Sequence, residues 1–183
     1  MDKVRIGVIG CGMISDIYLT NMKEKFSEVI DVCGCADMVP EKAQAQADKY
    51  GIRLMTTEEL LQARDIDLVL NLTIPAAHAQ VSKSALLNGK SVYSEKPIAI
   101  NVEDAEDLIA LAKEKRLYIG CAPDTFLGGG LQTVKKLLDE GLIGEPISCN
   151  VSMLSRGPES FHPHPEFFYL EGGGPMLDMG PYY

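Results

Sequence analysis

The chain has no tryptophan, only 3 histidines and no excess of positive charge, with 17 Lys and Arg against 26 Asp and Glu for a net charge of −9. That balance argues against nucleic acid or an anionic membrane as the main partner, because either needs a cationic face. No apolar run reaches the roughly 20 residues of a bilayer span. Asp2, Lys3 and Arg5 precede only a short apolar run ending in glycine, which is not the pattern of a secretory signal, so a cytoplasmic location is expected. The 5 cysteines (Cys11, Cys33, Cys35, Cys121 and Cys149) contain no C-x-x-C pair. They read as reduced, mostly buried thiols, and no metal centre is expected. Cys33 and Cys35 lie two apart in a β-like run, which puts both on one strand face.

What is present is an ordinary globular composition, 46% hydrophobic and 23% charged over 183 residues, more than one average domain and less than two. Short β-rich runs alternate with helical stretches through the first two-thirds, the mark of a parallel sheet flanked by helices. Strands are expected at Val4–Ile9, Val29–Ala36, weakly near Ile52–Met55, then Asp67–Leu72, Ser91–Ser94 and Leu117–Cys121. Helices are expected over about 12–25, 41–50, 76–88 and 102–115. Pro40 suits a first helical turn, Asn101 an N-cap, and Thr56 with Glu59 a capping box. The character changes near Pro123. Gly128–Gly130 lead into a helix ending near Glu140, Pro146–Leu154 reads as a strand of another sheet, and a segment rich in Pro, His and aromatics follows. The expected organisation is an α/β Rossmann domain over 1–122 and, over 123–183, the beginning of a second α/β domain with an open sheet, apparently truncated.

The chemistry starts at Gly7-Val8-Ile9-Gly10-Cys11-Gly12-Met13-Ile14-Ser15, a strand end running into a helix start. Gly10 permits the tight turn and Gly12 a close backbone approach to a pyrophosphate, which the helix N-terminus meets with free N–H groups. Gly7, Gly10, Cys11, Gly12, Met13 and Ile14 are thus candidate cofactor contacts. Ser15 stands where the third glycine of such a loop is usual. Asp37, at the end of the second strand and roughly 20 residues on, completes the dinucleotide pattern. Its carboxylate can accept from ribose hydroxyls but repels a 2′-phosphate by about 4 kcal/mol at 4 Å and an effective dielectric of 20. No arginine follows it, so NAD is favoured and NADP disfavoured.

Three further motifs, with this loop, resemble the Gfo/Idh/MocA oxidoreductase family: Thr73-Ile74-Pro75-Ala76-Ala77-His78, Ser94-Glu95-Lys96-Pro97, and Gly172-Gly173-Gly174-Pro175-Met176-Leu177-Asp178-Met179-Gly180-Pro181-Tyr182. The resemblance runs through essentially the whole chain. It implies a Rossmann domain followed by a substrate and oligomerisation domain, and hydride transfer between a sugar or cyclitol and the nicotinamide. Lys96 would lie near the reacting hydroxyl and Glu95 near the nicotinamide ribose. Thr73 and His78 would face the cofactor, Thr73 through phosphate or ribose. His162 and His164 would bond substrate hydroxyls. A homo-oligomer is implied for the full-length protein.

Pro175 suits a helix start, and Asp178 and Tyr182, four apart, would then share one helix face. Many members of the family carry histidine where Tyr182 stands, while glucose–fructose oxidoreductase and its nearer relatives use tyrosine. A tyrosine with an ordinary pKa near 10 is only about one part in a thousand ionised at pH 7. A Lys96 ammonium beside it would lower that pKa and ionised Asp178 would raise it. The resemblance therefore implies Tyr182, assisted by Lys96, as proton acceptor, with Asp178 orienting the reacting groups. Whether Tyr182 or Lys96 is the acid/base stays open at this level. So do two other activities: a glycosidase working through transient oxidation by NAD, and a regulator that binds the dinucleotide without turnover.

Overall fold

The computed structural model describes residues 2–160, 162, 165–170 and 172–182. The chain forms two compact units, Met1–Ala122 and Pro123–Tyr183.

The first unit is built on six parallel strands: β1 (Val4–Ile9), β2 (Ile30–Ala36), β3 (Arg53–Leu54), β4 (Leu68–Asn71), β5 (Ser91–Ser94) and β6 (Ile119–Cys121). Their order across the sheet is β3-β2-β1-β4-β5-β6. The direction of winding reverses between β1 and β4, and the crevice beyond their carboxyl ends is where open α/β sheets bind ligands. On one face, Leu19 and Met22 of α1 (Ser15–Glu24) and Ala43 and Ala47 of α2 (Pro40–Tyr50) pack with Ile6, Val8, Leu70 and Leu72. The other core joins Leu60 of α3 (Thr57–Gln62), Ala85 and Leu86 of α4 (Pro75–Leu87), and Leu108 and Ala112 of α5 (Val102–Lys115) to Val69 and Val92. Val69 and Leu70 fall in opposite cores, as strand alternation requires. The first helix starts at Ser15, later than the expected residue 12, while three other helix starts carry the expected local signals. Thr56 and Glu59 form a complete capping box, Asn101 accepts from the Asp104 amide at 2.8 Å, and Pro40 opens α2.

Two expectations about β1 and β2 are corrected. Gly7, expected among the cofactor contacts, has a packing role in the structure. It lies inside β1, and a Cβ there would come within 2.8 Å of Leu60 and 2.9 Å of Ile66, so glycine is needed for α3 to pack on the sheet. Cys33 and Cys35 do not share a face. Ile6 pairs with Val32 but Gly7 pairs with Gly34, so Cys33 is the extra residue of a bulge and the alternation flips there. Cys35 joins the core with α1 and α2, whereas Cys33 packs against the other.

The second unit contains α6 (Gly129–Asp139) and the one-turn helix α7 (Pro175–Asp178), with 3-10 turns at Thr125–Leu127, Pro158–Ser160, Pro165–Tyr169 and Gly180–Tyr182. The strand expected over 146–154 is absent. That backbone has no ladder partner among the described residues, and an extended run is a strand only when paired. The helix opened by Pro175 also stops sooner than the spacing of Asp178 and Tyr182 requires. Pro181 has no N–H to donate back and disfavours helical geometry at Gly180. Tyr182 consequently sits in a 3-10 turn, its amide donating to Met179 at 3.0 Å, and the two side chains do not share one α-helical face. No described helix is long and apolar enough to cross a membrane.

Candidate functional site

The glycine loop runs from β1 into α1 across the point where the sheet reverses. Gly10 has φ +100°, and a Cβ there would lie 2.5 Å from the Leu72 main chain, so both its torsion and the β4 crossing exclude a side chain. Its amide donates to Ala36 at 2.9 Å. Gly12 is the opposite case, with nothing within 4 Å of an added Cβ, which leaves the main chain open to a ligand. Ser15 explains the missing third glycine. It is fully buried, and its hydroxyl donates to the Gly12 carbonyl at 2.6 Å, so the small polar side chain tightens the turn it replaces. Met13 and Ile14 are exposed, and Ile14 precedes α1 with no side-chain cap on its first amides. Those amides are the anion-binding end of the helix. Asp16 would oppose an anion there, but its carboxylate pairs with Lys49 of α2 at 2.7 Å.

Asp37 stands beside this loop. Its Oδ2 accepts from the Cys11 amide at 2.7 Å and its Oδ1 from the Val39 amide at 2.8 Å. Each oxygen keeps capacity for another donor, so the carboxylate is held in one orientation and remains able to take ribose hydroxyls. The Cys11 thiol is buried and directed at the Ala36 carbonyl, 3.6 Å away. Cys11 thus offers the site its main chain, not its sulfur. Its thiol is pushed far above the ordinary cysteine range, first by its hydrogen bond with Cys35 and then by burial.

The loops after β4 and β5 are tied together by a buried network. Asn71, at the end of β4, donates through Nδ2 to the His78 carbonyl and to Ser82 Oγ, each at 3.0 Å. Its Oδ1 accepts the Thr73 hydroxyl at 2.7 Å, and its carbonyl accepts the Glu95 amide at 2.9 Å. The Thr73 hydroxyl thus donates inside the protein and keeps its oxygen lone pairs as acceptors, which suits a ribose hydroxyl better than a phosphate. His78 is corrected more firmly. It is 1% exposed, with Nδ1 2.5 Å from the Pro97 carbonyl and Nε2 2.8 Å from the Thr73 carbonyl. Both ring nitrogens are occupied by main chain, so His78 braces one loop against the other and presents no polar atom to a cofactor.

Glu95 and Lys96 are half-buried directly after β5, at the carboxyl end of the sheet. Glu95 Oε2 accepts the Lys96 amide at 3.0 Å and Oε1 accepts the Tyr18 hydroxyl at 2.8 Å. The Lys96–Pro97 peptide is cis. Cys121, at the end of β6, approaches the Glu95 carbonyl at 3.7 Å, and its thiol is pushed up to about 11 by burial and by the Glu95 charge. Sequence reasoning missed Asn71 and Tyr18. For Asn71 a signal existed, a polar residue ending an otherwise apolar strand, while nothing in the helix pattern marked Tyr18.

In the second unit, Asp178 and Tyr182 are half-buried, and the Asp178 amide closes the first turn of α7 on Gly174 at 2.9 Å. His162 is half-buried, its amide bonded to Pro158 at 2.9 Å and its ring 5.1 Å from Phe168 in an edge-to-face contact. His164 lies outside the described residues. The first unit by itself thus fits a dinucleotide: an open backbone at Gly12, uncapped amides on α1, and carboxylates at Asp37 and Glu95 held ready to accept from hydroxyls.

Known proteins share this fold. Residues 4–121 match the model of an oxidoreductase family with an NAD-binding Rossmann fold, and residues 131–183 match the GFO/IDH/MocA C-terminal domain. The chain is 31% identical over 150 residues to an inositol 2-dehydrogenase of Salmonella typhimurium, covering 79% of this chain and 44% of that protein. Among solved structures, a 3-ketoreductase from Actinomadura kijaniata in complex with NADP is 31% identical, with a TM-score of 0.69 over 79% of this chain and 46% of the other. A putative myo-inositol dehydrogenase from Sinorhizobium meliloti superposes with a TM-score of 0.75 over 97% of this chain and 52% of that one. At 23% identity it speaks for the fold alone. The chain spans about half the length of the curated relatives it matches.

Proposed function

The chain belongs to the Gfo/Idh/MocA oxidoreductase family, and from that premise we propose that it is the cofactor-binding part of an NAD-dependent dehydrogenase acting on a hydroxyl-bearing carbon of a sugar or cyclitol. The observation that carries the cofactor side is the Asp37 carboxylate, held by the Cys11 amide at 2.7 Å beside an open glycine loop. In this reading the main chain of Gly10–Ile14 and the first amides of α1 hold the pyrophosphate. Asp37 accepts from the adenosine ribose and excludes a 2′-phosphate by charge. Glu95 accepts from the nicotinamide ribose. Bound NAD supplies the hydride acceptor. The substrate class comes from relatives such as the inositol 2-dehydrogenase.

The proton chemistry belongs to this chain's own groups. Tyr182, assisted by the Lys96 ammonium, takes the proton of the substrate hydroxyl as its carbon is oxidised. Asp178 orients the reacting groups, and His162 and His164 bond other hydroxyls. Residues 123–183 are read as the opening of the substrate domain, and the full-length protein as a homo-oligomer. A cytoplasmic location fits five unpaired thiols.

The test is to titrate the full-length protein with NADH and NADPH by nicotinamide fluorescence, then screen sugars and cyclitols for reduction of NAD. Tight NADH binding and substrate-dependent NADH formation are expected. Binding with no turnover on any polyol would leave a dinucleotide-binding regulator. Cleavage of a glycoside without net cofactor reduction would leave a glycosidase.

A further inference from the structure

Tyr18 lies on α1, the helix that leaves the glycine loop, while Glu95 follows β5. Strand β4 separates β1 from β5 in the sheet, so the 2.8 Å hydrogen bond from the Tyr18 hydroxyl to Glu95 Oε1 reaches over the intervening strand. The ring of Tyr18 packs against the core containing Val8, Leu19, Leu70 and Leu72. A phenylalanine would fill that space equally well. What tyrosine adds is the hydroxyl on the carboxylate.

Among the described residues, Glu95 is otherwise held through its main chain and its own loop. Its amide is bonded to Asn71 and its Oε2 receives the Lys96 amide at 3.0 Å. A glutamate side chain left with one such contact keeps rotational freedom that binding must remove. The Tyr18 hydroxyl supplies a charge-assisted bond to the other oxygen and leaves lone pairs on both.

We infer that Tyr18 is a positioning residue, which aims the Glu95 carboxylate at the hydroxyls of the nicotinamide ribose and so links the pyrophosphate helix to the Lys96 loop. This rests on the dinucleotide reading proposed above. It predicts an effect confined to the nicotinamide half of the cofactor, because ADP carries the pyrophosphate and adenosine ribose but no second ribose.

The experiment compares NADH and ADP binding to the full-length protein, by calorimetry, for wild type, Tyr18→Phe, Glu95→Gln and the double variant. Tyr18→Phe should weaken NADH about tenfold, the scale of one lost charge-assisted hydrogen bond, and leave ADP unchanged. Glu95→Gln should do the same, and the double variant should be no weaker than Glu95→Gln alone. Unchanged NADH binding in Tyr18→Phe would overturn the inference, as would an equal loss for ADP or effects that multiply in the double variant. Should Tyr18→Phe prove poorly folded, Glu95→Gln still decides: a loss on ADP as large as that on NADH sinks the assignment. Failure of the wild type to bind either ligand removes the dinucleotide reading itself, and this inference with it.

Discussion

The Cys11 amide donates to Oδ2 of Asp37 at 2.7 Å, so the backbone of the glycine loop and the carboxylate at the end of β2 hold each other in place. Two charges about 4 Å apart repel by roughly 4 kcal/mol at an effective dielectric of 20, and by less where water enters. Asp37→Ala is therefore expected to narrow the preference for NADH over NADPH at least tenfold, mostly by improving NADPH binding. Parallel fluorescence titrations of wild type and variant check this, and an unchanged ratio would remove Asp37 from cofactor selection.

His78 provides a contrast between bracing and contact. Its ring joins the Thr73 and Pro97 carbonyls inside the protein. His78→Ala opens a cavity and leaves a buried main-chain carbonyl without its imidazole N–H, so a loss of about 2–4 kcal/mol is expected in denaturant unfolding. NADH affinity should fall with it, because both loops loosen. A variant that lost affinity at full stability would contradict the buried role.

Lys90 supplies the control at the far end of the sheet. It is buried just before β5, its ammonium donating to the Ala63 carbonyl at 2.6 Å and the Ile66 carbonyl at 3.0 Å. Lys90→Met should destabilise by about 1–3 kcal/mol through the two orphaned carbonyls while leaving NADH affinity intact. Chemical denaturation and calorimetry on the same preparation separate the two effects.

The Arg5 guanidinium grips Asp67 with two hydrogen bonds, Nε to Oδ2 at 2.8 Å and Nη2 to Oδ1 at 2.6 Å. The contact holds the Asp67 carboxyl below its ordinary value of 3.8. A carboxylate with a depressed folded-state pKa stabilises the fold above its unfolded value and loses that contribution as pH falls through the folded one. Both side chains are nearly half exposed, so Asp67→Asn should cost no more than about 1 kcal/mol at neutral pH. The gap from wild type should close as pH falls below about 4. Urea melts across that range measure it, and a gap that stayed constant would show that the pair does not titrate as described.

Local chemistry made much of the fold legible from sequence. Thr56 with Glu59, Asn101, Pro40 and the alternation of short apolar runs mark the ends of elements through interactions confined to a few neighbouring residues. What failed depends on distant parts of the chain. Gly7 resembles a loop glycine until α3 is packed onto it, and the bulge at Cys33 exists only in relation to β1. His78 looks like a ligand-facing residue until the loop after β5 closes over it. Pro181 is the exception, a local signal that outranked the spacing of Asp178 and Tyr182. Within the candidate site, the glycine loop and Asp37 were readable because motif and geometry coincide there. Tyr18 was not, since a hydrogen bond across β4 leaves no periodic trace.

Asn71 has a practical consequence for anyone remodelling this crevice. One residue bonds its own loop through Thr73, the helix that follows through Ser82 and the His78 carbonyl, and the next strand's loop through the Glu95 amide. The segments around 71–82 and 94–97 are thus a single exchangeable cassette. Transplanting the Glu-Lys-Pro stretch alone into another scaffold would leave the Glu95 amide and the Pro97 carbonyl without the groups that hold them, whereas moving both segments together with Tyr18 carries the geometry along.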